Sequence, residues 1–262
     1  MYFTLRRNHT EHWTMDTPHL HDGCELLLSL TDGGSFFLMD NRHPIRRGTL
    51  LLMREGTLHR SVAMQGVYDR YVLHVSAETL KRVSTAQTDL TAVFDENRCV
   101  QLDEAAVRQL SAVMDRCMEI SGAFGGDLLR ECAFVQLLVM VGQILLQPAL
   151  CRAQPEELSG PVRRAVDYIG IHAAEPLSLD ILAERCFVTK YHLCRLFKKE
   201  TGFTVGEYIQ RLRVQRAAAL LREGESVQRA GEWTGFSNCS SFIRAFSQIM
   251  GVSPGRYAKK PQ

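Results

Sequence analysis

Three histidines and one glutamate in the amino-terminal region have the side chains of a divalent-metal site. His19, His21 and Glu25 follow one another as H-x-H-x3-E, and His59 comes after further apolar segments. Alternate residues of a β-strand point to the same side, so the imidazoles at 19 and 21 would converge on an extended segment. Three imidazoles and a carboxylate suit Zn, Mn, Fe or Ni. The same side chains would equally bind an organic effector or one another, so all three interpretations stay open.

A second set of residues, near the carboxyl terminus, has the types that bind DNA. Residues 190–208 read KYHLCRLFKKETGFTVGEY, and residues 239–257 read CSSFIRAFSQIMGVSPGRY. At one constant offset, Arg195, Phe197, Gly202 and Tyr208 match Arg244, Phe246, Gly251 and Tyr257. Each copy follows a short helical segment and a turn signal, so the sequence predicts two helix–turn–helix units in tandem.

The outward polar residues of these units are the candidates for DNA contact. In the first unit Thr189 is the predicted N-cap of a helix over 190–200, whose core side carries Leu193, Leu196 and Phe197. In the second unit Ser237 is the predicted cap, and Phe242, Phe246 and Ile249 face inward. A guanidinium such as that of Arg195 is suited to a guanine edge, whereas Lys198 and Lys199 are suited to phosphates. The full candidate set is Thr189, Lys190, Tyr191, His192, Cys194, Arg195, Lys198, Lys199, Asn238, Ser240, Ser241, Arg244 and Gln248.

A capped helix is predicted to hold the two units at a fixed distance. Thr204 and Glu207 have the spacing of a capping box, which predicts a helix from near Val205 to Gly224. About 18 residues at 1.5 Å each give a rigid spacer of roughly 27 Å. With the bodies of the units added, the recognition helices are expected on the order of one DNA turn, roughly 34 Å, apart.

Short apolar runs separated by turn signals predict a β domain in the first part of the chain. The runs are CELLLSL, SFFLMD, GTLLLM and VYDRYVLHV, and Asp, Asn and Gly pairs divide them. Several short strands with such turns favour a small β-sandwich or barrel. A helix opened by Asp103 is expected next. Its predicted apolar side carries Val107, Leu110, Val113, Met114 and Cys117.

A second helix over 127–147 is apolar around most of its circumference, which predicts burial on more than one side. Its most apolar run, 132–146, is shorter than the roughly 20 residues of a membrane-spanning helix, so no membrane span is expected. One side is expected to pack on the β domain and the other against a second copy, which gives a homodimer. The polar, proline-containing CRAQPEELSG reads as a linker, and Pro161 suits the first turn of the next helix.

Basic charge is concentrated in the carboxyl-terminal segment. Residues 160–262 contain 16 Lys and Arg against 9 Asp and Glu, whereas the rest of the chain has 15 against 20. This division predicts a phosphate-facing surface whose DNA affinity falls with salt. The chain shows no charged-then-apolar signal at its start, and its 8 cysteines lack CxxC spacing. A cytoplasmic protein with reduced thiols is therefore expected.

Several strings of the carboxyl-terminal segment resemble the DNA-binding domain of the AraC/XylS family of bacterial transcription regulators. They are LSLDILAERCFVTKYHLCRLFKKETG, EYIQRLRVQRAAALL, GFSNCSSFIRAF and GVSPGRY, and the resemblance extends over about residues 162–257. It implies seven helices, two helix–turn–helix units and control of transcription initiation. It also places Tyr191, Cys194, Arg195, Ser240 and Arg244 in or near base-reading sites.

Ala230 and Gly231 depart from the family pattern, which has a large aliphatic residue followed by Ala. Glycine inside a helix costs about 1 kcal/mol relative to Ala, so a looser second unit is expected.

The region around residues 15–80 resembles the cupin barrel, which in many AraC-type regulators holds the effector. His19, His21, Glu25 and His59 match the cupin metal-ligand pattern, so a divalent metal ion is a possible cofactor. The predicted fold class is α+β multidomain. It combines a cupin-like effector-binding β-barrel domain over 1–100, a helical dimerisation segment over 101–150, a linker over 151–160 and an all-α DNA-binding domain over 161–262.

These features predict a sequence-specific transcriptional regulator, an activator rather than an enzyme, that binds the major groove of double-stranded DNA. A small effector in the barrel and RNA polymerase are its expected partners. The alternative is a metal-dependent cupin enzyme or a metal sensor that uses His19, His21, Glu25 and His59. An architectural DNA-binding protein is disfavoured, because DNA binding alone needs no acidic, pocket-like amino-terminal half.

Overall fold

A computed structural model of the chain describes residues 3–11, 23–62, 66–119, 122, 124–147 and 155–259. The amino-terminal part consists of antiparallel strands covered by helices, and the carboxyl-terminal part is helical. The strands are β1 (Phe3–Glu11), β2 (Cys24–Ser29), β3 (Ser35–Leu38), β4 (Asn41–Pro44), β5 (Thr49–Met53), β6 (His59–Val62), β7 (Val67–Val75) and β8 (Arg98–Gln101). The helices of this part are α1 (Ala77–Val83), a short 3-10 helix (Leu90–Phe94), α2 (Glu104–Glu119) and α3 (Gly126–Leu145).

The strands form two antiparallel sheets whose inner faces meet. The larger sheet has the order β1-β7-β2-β5-β8, and the smaller has the order β4-β3-β6. Leu27, Phe36, Leu51 and Tyr68 belong to the buried cluster between them. The expected β-rich domain is confirmed. Within the described ranges, however, no strand ladder joins the two sheets into one closed barrel.

Each of the four predicted strand runs contains a strand, namely β2, β3, β5 and β7. Strands β1, β4, β6 and β8 were not predicted from the sequence, because β1, β4 and β6 are mostly polar and β8 has only two apolar residues. These strands are set by pairing with apolar neighbours. Strand β1, for example, pairs along all of β7, from Phe3 opposite Val75 to Glu11 opposite Val67. Hydrophobic alternation alone does not mark such strands.

Helix α2 covers the outer face of the larger sheet, and its start and apolar side are those predicted from the sequence. The Asp103 carboxylate accepts a hydrogen bond from the Ala106 amide at 2.7 Å and so opens the helix. The predicted apolar side is buried at all five positions, Val107, Leu110, Val113, Met114 and Cys117.

Helix α3 lies where the sequence predicted a helix over 127–147. It has 20 residues, and by length and composition alone it could cross a membrane, a test that the core helix of a globular domain also passes. One side places Phe134, Leu137 and Leu138 in the core of the β domain. The opposite side exposes Leu128 and Leu129 at 64% and 60%. In the single chain, therefore, α3 is buried on one side only.

The carboxyl-terminal part contains the seven helices that the family resemblance implies. They are α4 (Gly160–His172), α5 (Leu179–Cys186), α6 (Lys190–Thr201), α7 (Val205–Arg222), α8 (Val227–Trp233), α9 (Cys239–Met250) and α10 (Pro254–Ala258). The capping box of Thr204 and Glu207 is present at the start of α7. The predicted cap of α9 was wrong. That helix begins at Cys239, and its N-cap is Asn238, whose side chain accepts from the Ser241 amide at 2.8 Å.

Gly231 allows a close helix contact inside the second unit. A Cβ at this position would lie 2.9 Å from Cδ1 and 3.0 Å from Cγ of the buried Phe242. The residue is itself buried in α8, and Phe242 packs over it. The glycine that the sequence analysis expected to loosen the unit therefore permits close packing of α9 against α8.

The outer face of the smaller sheet packs against the first helix–turn–helix unit. Phe37 and Leu58 point away from the interior of the β domain and belong to the buried cluster that contains Phe197, Phe203 and Tyr208. The rings of Phe37 and Phe203 meet edge to face, with centroids 6.0 Å apart. One hydrophobic core thus connects the β domain to the first unit.

The linker between the two parts is tied to β4. The Glu156 amide donates to the Arg42 carbonyl oxygen at 2.6 Å, and the Arg42 Nε lies 2.7 Å from Glu156 Oε2. The Ser159 amide donates to the Glu200 carboxylate on α6 at 2.9 Å. Residues 155–159 therefore connect the edge of the smaller sheet to the first recognition helix.

Candidate nucleic-acid interface

The first recognition helix, α6, has one buried face and one polar face. The Thr189 side chain accepts a hydrogen bond from the His192 amide at 3.3 Å, which confirms its predicted role as N-cap. Leu193 and Phe197 are fully buried. Tyr191 is 81% exposed, and Thr189, Lys190, Arg195, Lys198 and Lys199 are also exposed, while His192 and Cys194 are half-buried. All eight candidates of the first unit therefore lie on or beside the polar face.

A shallow cleft runs along this polar face. It has a volume of about 410 Å³ and is lined by Tyr191, Cys194, Arg195, Lys198, Lys199 and Thr204. Three of the six lining side chains are cationic, and the Tyr191 ring supplies an apolar wall. A cationic and partly apolar groove fits the phosphates and base edges of DNA.

Lys190 differs from the other cations of α6 because it already has a partner. Its Nζ lies 2.9 Å from Asp180 Oδ1 on α5. The hydrogen bond that Lys190 donates to the Asp180 carboxylate raises the pKa of Lys190. The pair joins the two helices of the unit at the start of α6, so Lys190 carries less uncompensated charge than Lys198 or Lys199.

The second recognition helix, α9, is organised in the same way but carries less charge. Phe242 and Phe246 are fully buried on its inner face. Its outer face exposes Asn238, Ser240, Arg244 and Gln248, with Ser241 half-buried. Ser241 uses its amide and hydroxyl hydrogens within the cap, donating to the Asn238 side chain and carbonyl oxygen. Arg244 is therefore the one cation among the candidate residues of the second unit.

Two exposed apolar residues near α9 were not among the candidates. Trp233 at the end of α8 is 55% exposed, and Ile243 on α9 is 40% exposed. Helix α8 is too short to show a clear spacing of apolar residues, so the sequence did not indicate that Trp233 lies on the surface.

In the β domain, Glu25 is buried between two imidazoles. Its Oε2 lies 3.4 Å from His59 Nε2 and 3.4 Å from His74 Nε2. The register of β2 and β7 sets Glu25 opposite His74. Glu25 and His59, two of the four predicted ligands, are thus brought together. His19 and His21 lie outside the described residues.

His74 was missed by the sequence analysis, although the alternation of β7 could have found it. Tyr68 and Val72 point between the sheets, and residues two positions apart share a face, so Arg70 and His74 belong to the same side. Burial raises the pKa of Tyr68 and lowers that of Arg70. Within the described ranges, no group of three or more His, Cys, Asp or Glu side chains has the arrangement of a metal site.

A polar cleft opens at the edge of the β domain beside the linker. It has a volume of about 320 Å³, and its walls include His43, Glu96, Asn97, Arg98, Cys99 and Pro155. The wall combines side chains on or next to β4 and β8, the edge strands of the two sheets, with a residue of the linker. A molecule in this cleft would touch both the β domain and the segment that leads to the DNA-binding helices.

Comparison with known proteins identifies the family. The family model for the AraC-like ligand binding domain matches residues 1–138, and the helix-turn-helix domain model matches residues 182–260. The chain belongs to the AraC family. It is a transcriptional regulator with an amino-terminal ligand-binding domain and a helix–turn–helix DNA-binding domain.

Relatives within the AraC family align with both parts of this chain. The HTH-type transcriptional activator RhaR of Mannheimia succiniciproducens is 25% identical over 260 residues, which cover 92% of this chain and 87% of that protein. The multiple antibiotic resistance protein MarA of Escherichia coli is 34% identical over 97 residues, which cover 37% of this chain and 76% of that protein. Among solved structures, ToxT from Vibrio cholerae matches with a TM-score of 0.40 and 14% identity, covering 98% of this chain and 97% of ToxT.

Proposed function

We propose that this AraC-family chain reads DNA with α6 and α9 in two successive major grooves. The observation that carries the proposal is the continuous 18-residue helix α7 between two units whose recognition helices expose polar faces. A helix of this length spans roughly 27 Å. With the bodies of the units added, this spacing is on the order of one turn of DNA, roughly 34 Å.

Arg195 and Arg244 are the proposed base readers, and Lys198 and Lys199 the proposed phosphate contacts. Both arginines are exposed on the polar face of their helix, at equivalent positions of the two units. A guanidinium binds guanine through two parallel hydrogen bonds, whereas an ammonium contacts phosphate as a point charge. Thr189, Asn238 and Ser241 cap or flank the helices and are proposed to orient the other contacts.

The test is selection of binding sites from a random duplex library, followed by affinity measurements on single-base variants of the selected site. Arg195→Ala and Arg244→Ala should each cost about 1–3 kcal/mol and relax base preference within one half-site. Lys198→Ala serves as the matched comparison and should weaken binding to all sequences alike. Uniform weakening by the arginine variants would contradict their role as base readers.

We propose that a small effector binds within the amino-terminal domain. The polar cleft beside Pro155 and the buried group of Glu25, His59 and His74 support this assignment. Glu156 binds Arg42 of β4 and so holds the neighbouring linker on the β domain. A ligand in the cleft could therefore change the position of the linker and of helix α4, which follows it. Effector-dependent change in DNA affinity, abolished by Glu156→Ala, is the expected result.

A metal sensor or a metal-dependent cupin enzyme is the alternative function, with His19, His21, Glu25 and His59 as ligands. The two imidazoles within 3.4 Å of Glu25 are the observation that favours it. Elemental analysis of the purified chain beside His21→Ala and Glu25→Gln decides between the two. One ion per chain that is lost in both variants would support a metal site. Absence of any ion above background would instead favour the organic effector.

A homodimer is proposed through the outer side of α3. Leu128 and Leu129 are exposed there, next to Cys132 and Val139 along the same helix. Association through this face would bury side chains that the single chain leaves in water. Leu128→Lys with Leu129→Lys should convert a dimer into a monomer in sedimentation velocity, with Arg108→Ala on α2 as the exposed-residue control. A wild-type monomer that binds lipid vesicles would instead assign the face to a membrane.

We infer that the regulator activates transcription by contacting RNA polymerase in the cytoplasm, without enzymatic activity of its own. RhaR, which aligns over 92% of this chain, carries the description of a transcriptional activator. In vitro transcription from a promoter that contains the selected site should increase with added protein. A decrease would make the protein a repressor.

A further inference from the structure

Ile243 lies on the outer side of the second recognition helix, between two candidate DNA contacts. Helix α9 buries Phe242 and Phe246 on its inner side, whereas Ile243 is 40% exposed. Ser240, one helical turn before Ile243, and Arg244, directly after it, are exposed as well. Residues three apart are neighbours on the surface of a helix. The outer surface of α9 is therefore partly apolar at the place where it is expected to meet DNA.

The duplication of the helix–turn–helix unit gives Ile243 a counterpart in the first unit. At the constant offset that relates Arg195 to Arg244, Ile243 corresponds to Cys194 on α6. Cys194 lines the cleft along the polar face of α6, beside Arg195. Because the same structural unit is repeated, equivalent positions have similar surroundings. Ile243 therefore takes the place, in the second unit, of a residue that lines the cleft in the first.

Exposure alone would not single out this isoleucine. Single apolar residues are common on protein surfaces, and Ile181 on α5 is also 38% exposed. Ile243 differs because it lies on a recognition helix and is adjacent to Arg244, the one cation among the candidate residues of that unit. Bases are read by apolar contacts as well as by hydrogen bonds. On a helix with so little charge, an apolar contact can supply a substantial part of the base preference.

Thymine is the base whose edge suits an isoleucine side chain. In the major groove thymine presents its C5 methyl group, which apolar side chains contact. Cytosine at the same place lacks this methyl group and presents an N4 amino donor, which Ile243 would cover without supplying an acceptor. A β-branched isoleucine has one strongly preferred rotamer in a helix, so the contact requires little further ordering of the side chain.

We propose that Ile243 reads the methyl group of a thymine in the half-site that α9 binds, next to the base read by Arg244. This inference rests on the proposed function of α9 as a recognition helix and adds an apolar component to its specificity. Neighbouring side chains of a recognition helix contact neighbouring bases, which sets the position of the thymine. Burial of one methyl group corresponds to about fourfold in affinity, or about 0.8 kcal/mol.

The experiment uses the full chain and the duplex that it selects from the random library. Each thymine of this duplex is replaced in turn by deoxyuridine, which removes only the C5 methyl group. One replacement should weaken wild-type binding about fourfold in a fluorescence anisotropy titration. That thymine should lie in the half-site where Arg244→Ala relaxes the base preference.

Protein variants then test whether Ile243 makes the contact. Ile243→Ala should bind the thymine and deoxyuridine duplexes with nearly equal affinity, and Ile243→Val should give an intermediate ratio. Ile181→Ala is the matched control, because Ile181 has nearly the same exposure, and it should keep the wild-type ratio. Each result is a ratio of two affinities of one protein, so a smaller folded fraction in a variant cancels.

Equal affinity of the wild type for the thymine and deoxyuridine duplexes at every position would overturn the inference. A ratio that persists in Ile243→Ala would overturn it as well, because the methyl group would then act through another residue or through the shape of the duplex. Both results leave the proposed function intact, since the chain still selects a site. Failure of the wild-type chain to select any site would instead refute the proposed function, and the inference with it.

Discussion

The Tyr208 hydroxyl donates a hydrogen bond to the Met39 carbonyl oxygen across 3.2 Å and joins helix α7 to the tip of the β3–β4 hairpin. Met39 has a φ of 58°, the left-handed region that a side chain of this size rarely adopts. Its amide donates to the Leu58 carbonyl oxygen at 2.8 Å, and Gln215 donates to its sulfur. Contacts from both domains therefore hold this strained turn in place. Loss of these contacts would weaken the packing of the β domain against helix α7.

Removal of the Tyr208 hydroxyl should destabilise the full chain. Burial raises the pKa of Tyr208, so the phenol remains a neutral donor at ordinary pH. Tyr208→Phe leaves the Met39 carbonyl oxygen without this donor and should lower the free energy of unfolding by about 1 kcal/mol. Urea unfolding checks the value. Tyr191→Phe, which alters an exposed ring, is the control and should change it by less than about 0.5 kcal/mol.

Lys190 and Lys198 should contribute differently to DNA binding although both lie on α6. Lys190 is paired with Asp180 at 2.9 Å, whereas Lys198 lines the cleft of the polar face. Each released counterion contributes about 0.9 to the slope of log affinity against log salt. Lys198→Ala should reduce the slope by about that amount, and Lys190→Ala by clearly less. Titrations between low and high salt on one duplex measure both slopes. Equal reductions would mean that Lys190 leaves Asp180 when DNA binds.

The helical elements were predictable because their signals are local. Thr189 and the pair of Thr204 and Glu207 cap helices where the sequence placed them, and Leu193 and Phe197 are buried as their spacing indicated. The error at Ser237 has a local cause as well. Ser237 and Asn238 are both good caps, and only the position of the first helical residue decides between them.

The parts that depend on distant residues were not predictable. The alternation of β7 indicates that His74 faces inward, but its place opposite Glu25 comes from the register of β2 and β7, and no spacing along the chain reveals that pairing. Phe37 looked like one residue of an apolar run, but it faces outward and joins the core of the first helix–turn–helix unit. A strand that is buried on both faces carries no alternation from which its two partners could be read.

Gly231→Ala should destabilise the second unit although alanine is the better helix former. The added Cβ would lie 2.9 Å from the Phe242 ring, and overpacking of this kind typically costs about 1–3 kcal/mol. The gain in helix propensity is about 1 kcal/mol and does not offset the larger clashes. Phe242→Leu makes room for the methyl group, so the double variant should be more stable than the sum of the single effects predicts. Thermal unfolding of the wild type, the two single variants and the double variant gives a double-mutant cycle. Additive changes in the free energy of unfolding would show that the Phe242 ring moves aside without cost.

Because of the ion pair between Asp69 and Arg7, the free energy of unfolding of the β domain should decrease at low pH. Arg7 donates to both carboxylate oxygens of Asp69, at 3.1 and 2.7 Å, and these hydrogen bonds lower the pKa of Asp69 below its ordinary value of 3.8. A carboxyl group whose pKa is depressed in the folded state stabilises fully above its unfolded pKa, and this contribution is lost as the pH falls through the folded value.

Asp69→Asn should therefore lower the free energy of unfolding by about 1 kcal/mol at pH 7, since Arg7 is half exposed and water screens the pair. The two proteins should converge in stability as the pH drops below 3.8, the range in which wild-type Asp69 takes up its proton. Urea unfolding at a series of pH values measures the difference. Asp95→Asn, an exposed carboxyl group at the end of the 3-10 helix, is the matched control. A difference between wild type and Asp69→Asn that persisted unchanged into acid would assign the loss to packing rather than to charge.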